Sequence, residues 1–246
     1  DTEKRLMWSV TGNIAHNKDK ITKLSEAMKA ANEKLASIGG SNPNRILREG
    51  DSQNAIYAVP SLGIDPSSGE EIYLKKNGEV TKLWSAADRV NCGISNPKYR
   101  GNLSTMVRYK DLSLNMSFGF NWGGQKYNQT LIDRVENADK RYNVDERVFK
   151  DRWQNPGDKT FFKGVNVTTS SNYSSRFVQD ETSFWCQNMN LTYELKDWKW
   201  MRHMGISVIN ATIGTGELFY LSTIKRERGL SYPFSRQYTM SLSVMF

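Results

Sequence analysis

The sequence predicts an all-β fold: an antiparallel transmembrane β-barrel segment of about six strands with long extracellular loops. Three observations carry this. Apolar and polar residues alternate over several stretches, aromatic rings stand near the ends of those stretches, and short and long connections alternate between them. Successive side chains of a strand point to opposite faces, so such alternation gives one apolar and one small-polar face. A single amphipathic strand would also suit a soluble β sandwich. It is the repetition that favours a wall with lipid on one side and water on the other.

The first stretch sets Leu6, Trp8, Val10 and Ile14 against Ser9, Thr11 and Asn13. A long connection over 17–97 follows. Within it, residues 22–37 have helical spacing, with Leu24, Met28, Ala31 and Leu35 on one face and Gly39-Gly40 as the stop. Ile64 to Gly69 reads as a turn, and Glu71 to Gly78 as a small hairpin reversing at Asn77-Gly78. Next, Tyr99, Leu103, Val107 and Tyr109 alternate with Arg100, Asn102, Ser104 and Arg108. A tight turn at Lys110-Asp111 leads into Leu112, Leu114, Met116, Phe118, Phe120 and Trp122, set against Ser113, Asn115, Ser117, Gly119 and Asn121. A second long connection spans 124–182 and is rich in rings. Trp185, Met189, Leu191, Tyr193 and Leu195 then alternate with Cys186, Asn188, Asn190, Thr192 and Glu194. After a modest link over 196–203 comes a weaker candidate over 206–213, where Ile209 and Ile213 break the expected alternation. A third long connection, 214–235, precedes Tyr238, Met240, Leu242, Val244 and Phe246, which alternate with Thr239, Ser241 and Ser243. If the last strand runs toward the periplasm, both short links fall on the periplasmic side and all three long ones outside. Trp8, Tyr99, Tyr109, Trp122, Trp185, Tyr193, Tyr238 and Phe246 are the expected membrane-anchoring aromatics.

The 246 residues are 38% hydrophobic, with 11% aromatic, and contain no apolar run long enough for a membrane helix. The net charge of +8 is spread over loops and turns, which argues against a nucleic-acid face. Cys92, in an expected loop, and Cys186, expected to point to the lumen, lack metal-ligand or CxxC spacing and are read as unpaired. His16 and His203 have no nucleophile nearby, so no catalytic residue and no cofactor are expected. The carboxylates from Asp65 to Glu71 lack calcium-loop spacing and read as turn chemistry, not a metal site. The chain starts at Asp1 without an export signal, which leads to the expectation that it is a piece of something longer.

A series of short segments resembles the carboxy-terminal part of the SusC/RagA family of TonB-linked outer-membrane proteins of Bacteroidetes. They are Trp8-Ser-Val, His16-Asn-Lys-Asp-Lys-Ile21, Arg48-Glu-Gly-Asp-Ser52, Ile56-Tyr-Ala and Leu62-Gly-Ile-Asp-Pro66 with Gly69. Further along stand Asn96-Pro-Lys-Tyr-Arg-Gly101, Tyr127-Asn-Gln-Thr-Leu131, Val135-Glu-Asn137 and Asp151-Arg-Trp153 with Pro156-Gly-Asp158. Ser175-Arg-Phe-Val-Gln-Asp180 and Ile224-Lys-Arg-Glu-Arg-Gly229 with Tyr232-Pro-Phe234 complete the set. The resemblance implies that residues 1–246 are the carboxy-terminal portion of a TonB-dependent receptor barrel, with the plug domain absent. It implies these partners: the remainder of the barrel and plug, a SusD-like lipoprotein, the TonB complex through the missing part, outer-membrane lipid, and oligosaccharide or peptide cargo. The Gly-rich run Asn210 to Gly216 departs from the family and suggests a local disruption. On the long loops, Trp84, Tyr127, Asn128, Tyr142, Trp153 and Arg176 are the candidate ligand contacts, since rings stack on cargo while Asn and Arg direct hydrogen bonds. The alternative class is a non-transporting outer-membrane β protein, or a remnant, that oligomerises to close its sheet edges.

Overall fold

The computed structural model describes residues 6–139, 141–227 and 233–246. Arg228, Gly229 and Tyr232, part of the last family-like segment, lie outside the described residues. In chain order the regular elements are β1 (Leu6–His16), α1 (Glu26–Ala36), β2 (Ala55–Ala58), β3 (Ser61–Ile64), β4 (Glu71–Leu74), β5 (Val80–Thr81) and β6 (Val90–Ile94). Then follow β7 (Tyr99–Tyr109), β8 (Leu112–Tyr127), α2 (Arg147–Lys150), β9 (Val178–Lys196), α3 (Lys199–His203), β10 (Val208–Gly216), β11 (Tyr220–Ser222) and β12 (Tyr238–Met245). No described helix is long and apolar enough to cross a membrane.

Two compact units emerge. The first combines residues 1–17, 98–123 and 181–246; the second combines 18–97 and 124–180. The first unit is built on an antiparallel sheet in the order β1-β7-β8-β9-β10-β12, with the short β11 attached to β9 as a seventh strand. Among the described residues β1 and β12 form its two edges. Lys110, at φ +54°, makes the tight reversal between β7 and β8. The expected disruption at 210–216 does not occur: β10 pairs residue for residue with β9 and with β12 over its length. Its strand begins at Val208, not Ile206, so Ile209, Ala211 and Ile213 share a face and the alternation holds. The link after β9 contains the one-and-a-half-turn helix α3 where a plain turn was expected.

The second unit has three small apolar cores. Leu131, Ile132, Val135, Val148, Phe162 and Phe177 form one, Ala58, Val59, Tyr73 and Tyr173 another, and Ile46, Ala55 and Tyr57 the third. The expected helix is α1, capped by Ser25, whose hydroxyl accepts from the Met28 amide. The hairpin expected at Asn77-Gly78 is the β4–β5 pair, extended by β3 into three strands, with Gly78 at φ +85°. Cys92 lies in β6, paired to β2, rather than in a loop, and burial pushes its thiol pKa up.

Candidate membrane-facing sheet and loop-unit surface

Register fixes which side chains share a face. Opposite Trp8 stands Val107, whose other neighbour is Leu114; Leu103 stands opposite Phe118, and Tyr99 opposite Trp122. At the other end of the sheet Ile209, Ala211 and Ile213 meet Val244, Leu242 and Met240. This apolar face is open: Trp8 is 71% exposed, Met240 77% and Phe246 85%. An uncovered face of this extent is costly in water and favourable against hydrocarbon. The opposite face is polar. Ser104 and Ser117 hydroxyls meet at 3.1 Å, Thr192 and Thr212 at 2.9 Å, and Arg108 reaches the Glu194 carboxylate at 2.8 Å.

The rings stand in two groups along the strands. Tyr99, Trp122 and Tyr238 lie at the ends leading into the long connections, and Trp8, Tyr109 and Phe246 toward the tight-turn ends. Tyr99 and Trp122 pack with centroids 6.0 Å apart, and Trp8 donates its indole N–H to Thr105 Oγ1 at 2.9 Å. The strand rise from Tyr99 to Tyr109 is about 33 Å, and the usual barrel tilt of about 40° reduces it to about 25 Å, the height of an outer-membrane apolar band. Tyr193, 46% exposed, sits opposite Ala211 within this band.

Trp185 corrects the sequence reading. Its ring lies on the polar face, where a Cβ at Gly119 would come within 2.4 Å of Trp185 Cζ2. Gln187, two residues on, donates to Asn102 Oδ1 at 2.9 Å on the same face. By Thr192 and Glu194 the even-numbered residues have taken that face. The parity of β9 therefore changes between Gln187 and Thr192, as a β-bulge makes it do. Phe184, stacked on Phe118 at 5.5 Å, takes the apolar place expected of Trp185. Cys186 shares the parity of Phe184, not of the lumen side, and is buried.

In the second unit the six ligand-contact candidates have very different surroundings. Tyr142 is 73% exposed. Trp84 donates to the Tyr173 carbonyl at 2.9 Å and meets its ring edge-on. Tyr127 donates its hydroxyl to the Ser41 carbonyl at 2.8 Å, and Asn128 donates to Gln179 Oε1 at 2.9 Å. Trp153 is buried, with its indole N–H on the Pro66 carbonyl at 2.8 Å. Arg176 has a side chain only 4% exposed; its Nη2 bonds Glu71 at 2.7 Å and Glu136 at 2.8 Å, and Phe177 lies 4.5 Å beneath the guanidinium. Ser174 donates to Glu71 Oε1 at 2.6 Å and Ser171 to Glu136 Oε1 at 2.8 Å. Burial alone would raise the Glu71 pKa, but Arg176 and Ser174 outweigh it and hold the carboxyl below its ordinary value. Glu71 stood in the expected hairpin and Glu136 in the family-like Val135-Glu-Asn137, but nothing local showed that they share a cation, because Arg176 is distant along the chain.

Two concave surfaces of this unit stand out among the described residues: one of about 530 Å³ beside Phe161 and Phe162, and a groove of about 350 Å³ between residues 43–45, 53–57, Ser95, Lys126 and Tyr127. Ala55, Ile56 and Tyr57 form a buried floor, and Arg45 and Lys126 stand exposed at its rim.

A curated relative, the TonB-dependent receptor P3 of Formosa agariphila, is 26% identical over 149 residues, 54% of this chain and 14% of that protein. The RagAB peptide importer in its open-open state superposes with a TM-score of 0.73 at 17% identity, over 99% of this chain and 27% of the other. The chain resembles part of a TonB-dependent receptor. The closed-closed RagAB importer gives a TM-score of 0.71 at 18% identity, covering 98% of this chain and 28% of that one. At these identities the structural likeness speaks for the fold. No family model matches the chain. The chain thus spans a small fraction of the TonB-dependent receptor it matches, and about a quarter of the RagAB chains.

Proposed function

We propose that this chain forms the carboxy-terminal part of the wall and outer loops of a TonB-dependent outer-membrane importer, working with a SusD-like lipoprotein on peptide or oligosaccharide cargo. The observation that carries this reading is the one-sided sheet of the first unit. Its apolar face is open and bounded by two groups of rings about one membrane thickness apart, and its other face is lined by Ser, Thr and Asn. Among the described residues the edges β1 and β12 have no strand beyond them, and on this reading they call for further strands, because an open sheet edge is not tolerated in lipid. On this reading the chain binds and passes cargo without catalysing its conversion.

The test is fractionation of cells producing the full-length protein. The outer-membrane fraction should retain it through carbonate and urea washes and release it in detergent. A protein found soluble and monomeric in plain buffer would remove the membrane reading. The same open edges would also suit a non-transporting β protein that closes its sheet by self-association. The particle mass in detergent separates the two: a single long chain with its lipoprotein supports the importer, and a ring of short chains supports the alternative.

A further inference from the structure

The groove of the second unit has a composition that the wall does not explain. None of its lining residues is acidic, whereas Arg45 and Lys126 line it together with Asn44, Gln53 and Asn54. Asp51, close by in sequence, accepts a hydrogen bond from the Tyr57 hydroxyl. The floor is apolar, from Ile56 and Tyr57, and a volume of about 350 Å³ lies at the small end of ligand sites. We infer that this groove holds the carboxylate end of a peptide, with Arg45 receiving the terminal carboxylate, the amides receiving the last peptide groups, and the floor taking an apolar side chain.

The choice of a peptide over a glycan follows from the rings. A sugar needs a free aromatic face to stack upon, and here the Tyr57 face is occupied by the Arg48 guanidinium at 4.8 Å. Tyr127 packs edge-on against Phe177, and its hydroxyl is already donated to Ser41. What the groove offers instead is cation, amide and apolar floor, the three chemistries found together at the end of a peptide. Arg is the better of the two cations for a planar carboxylate, because its fork can donate two parallel hydrogen bonds. Arg45 uses one nitrogen on the Gln53 carbonyl at 3.3 Å, which orients the guanidinium at the groove's edge.

This inference rests on the importer reading only for the source of the cargo. The experiment uses the full-length receptor purified in detergent and, as probes, an N-acetylated tripeptide ending in leucine as free acid, the same peptide as carboxy-terminal amide, and a tri-glucuronate. The free acid should bind about tenfold or more tighter than the amide, as loss of a charge-assisted pair implies. Arg45→Gln should abolish that preference while leaving the circular dichroism spectrum and melting temperature unchanged, since Arg45 is exposed. Equal binding of acid and amide, no binding of either, or a preference that survives Arg45→Gln would overturn the assignment. Tighter, Arg45-dependent binding of the tri-glucuronate would overturn it in favour of an acidic glycan. Membrane fractionation of the same protein reports on the importer reading separately, so either idea can fail alone.

Discussion

The indole of Trp153 lies against the backbone of Gly69, so closely that a Cβ there would come within 2.5 Å of Trp153 Cε3. Gly69 also holds φ at +72°, and Gly164 flanks the same ring, its amide bonding the Gly69 carbonyl at 2.9 Å. Gly69→Ala therefore meets both a steric and a conformational obstacle. It should destabilise the second unit by about 2–4 kcal/mol, whereas Gly78→Ala, with open space around it, should cost about 1 kcal/mol. Tryptophan-fluorescence melts of the two variants check this, and equal costs would show that the ring contact is immaterial.

A second expectation concerns Arg176. Replacing it with Met leaves Glu71 and Glu136 buried without their shared cation, at a cost of about 3–5 kcal/mol at neutral pH. The pH dependence follows from the depressed Glu71 pKa. Its contribution is fully present above the unfolded value of about 4.3 and is lost as the pH falls through the lower folded value. Melts from about pH 6 to pH 3 should show the wild type weakening on acidification, and the gap to Arg176→Met narrowing as the orphaned Glu71 carboxyl takes up a proton. A gap that stays constant with pH would mean that the ion pairs contribute nothing that titrates.

The two faces of β12 make opposite predictions for neighbouring residues. On the proposed importer reading, Leu242→Arg in the full-length protein should cost about 2–4 kcal/mol as a charge near the middle of a lipid-facing surface, and Ser241→Arg about 1 kcal/mol or less. Urea unfolding in phospholipid vesicles reads both. Equal effects would mean that β12 does not present one face to lipid.

The changed parity of β9 is open to a direct optical test. In variants retaining one tryptophan in this unit, brominated lipid should quench Trp8 and Trp122 strongly and Trp185 weakly. Iodide on the lumen side should give the reverse order for Trp185. Strong lipid quenching of Trp185 would place it where simple alternation put it.

Alternation made most of the sheet legible. Five of the strands announced themselves because side-chain polarity on a sheet with one apolar and one polar face is set position by position. The reading faltered where facing depends on a partner and not on the strand's own sequence. β10 looked broken because its start was set at Ile206, and only pairing with β9 and β12 shows that Ile209, Ala211 and Ile213 are in register. The turnover in β9 is invisible in Trp185-Cys-Gln-Asn188, since it is defined by what Gly119 and Asn102 leave room for. In the second unit the loops were read as ligand-rich because their rings and Arg176 are chemistry-bearing types. That Arg176 faces Glu71, 105 residues away, is a tertiary fact with no local trace. The groove beside Arg45 went unnoticed for the same reason, being assembled from stretches that are separate in sequence.

The second unit is assembled from two distant stretches of chain that share one of its cores and a buried ion-pair cluster. Tyr173 packs with Ala58, Val59 and Tyr73, Val59 bridges to Ser174, and Arg176 ties Glu71 to Glu136. One consequence is resistance to cutting. A protease that severs one stretch at an exposed turn, such as the one following Asp65, leaves both pieces held by contacts made from the other stretch. Shedding any part of this unit would take at least two cuts in the same stretch, so a surface exposed to digestive enzymes could be nicked and keep its shape.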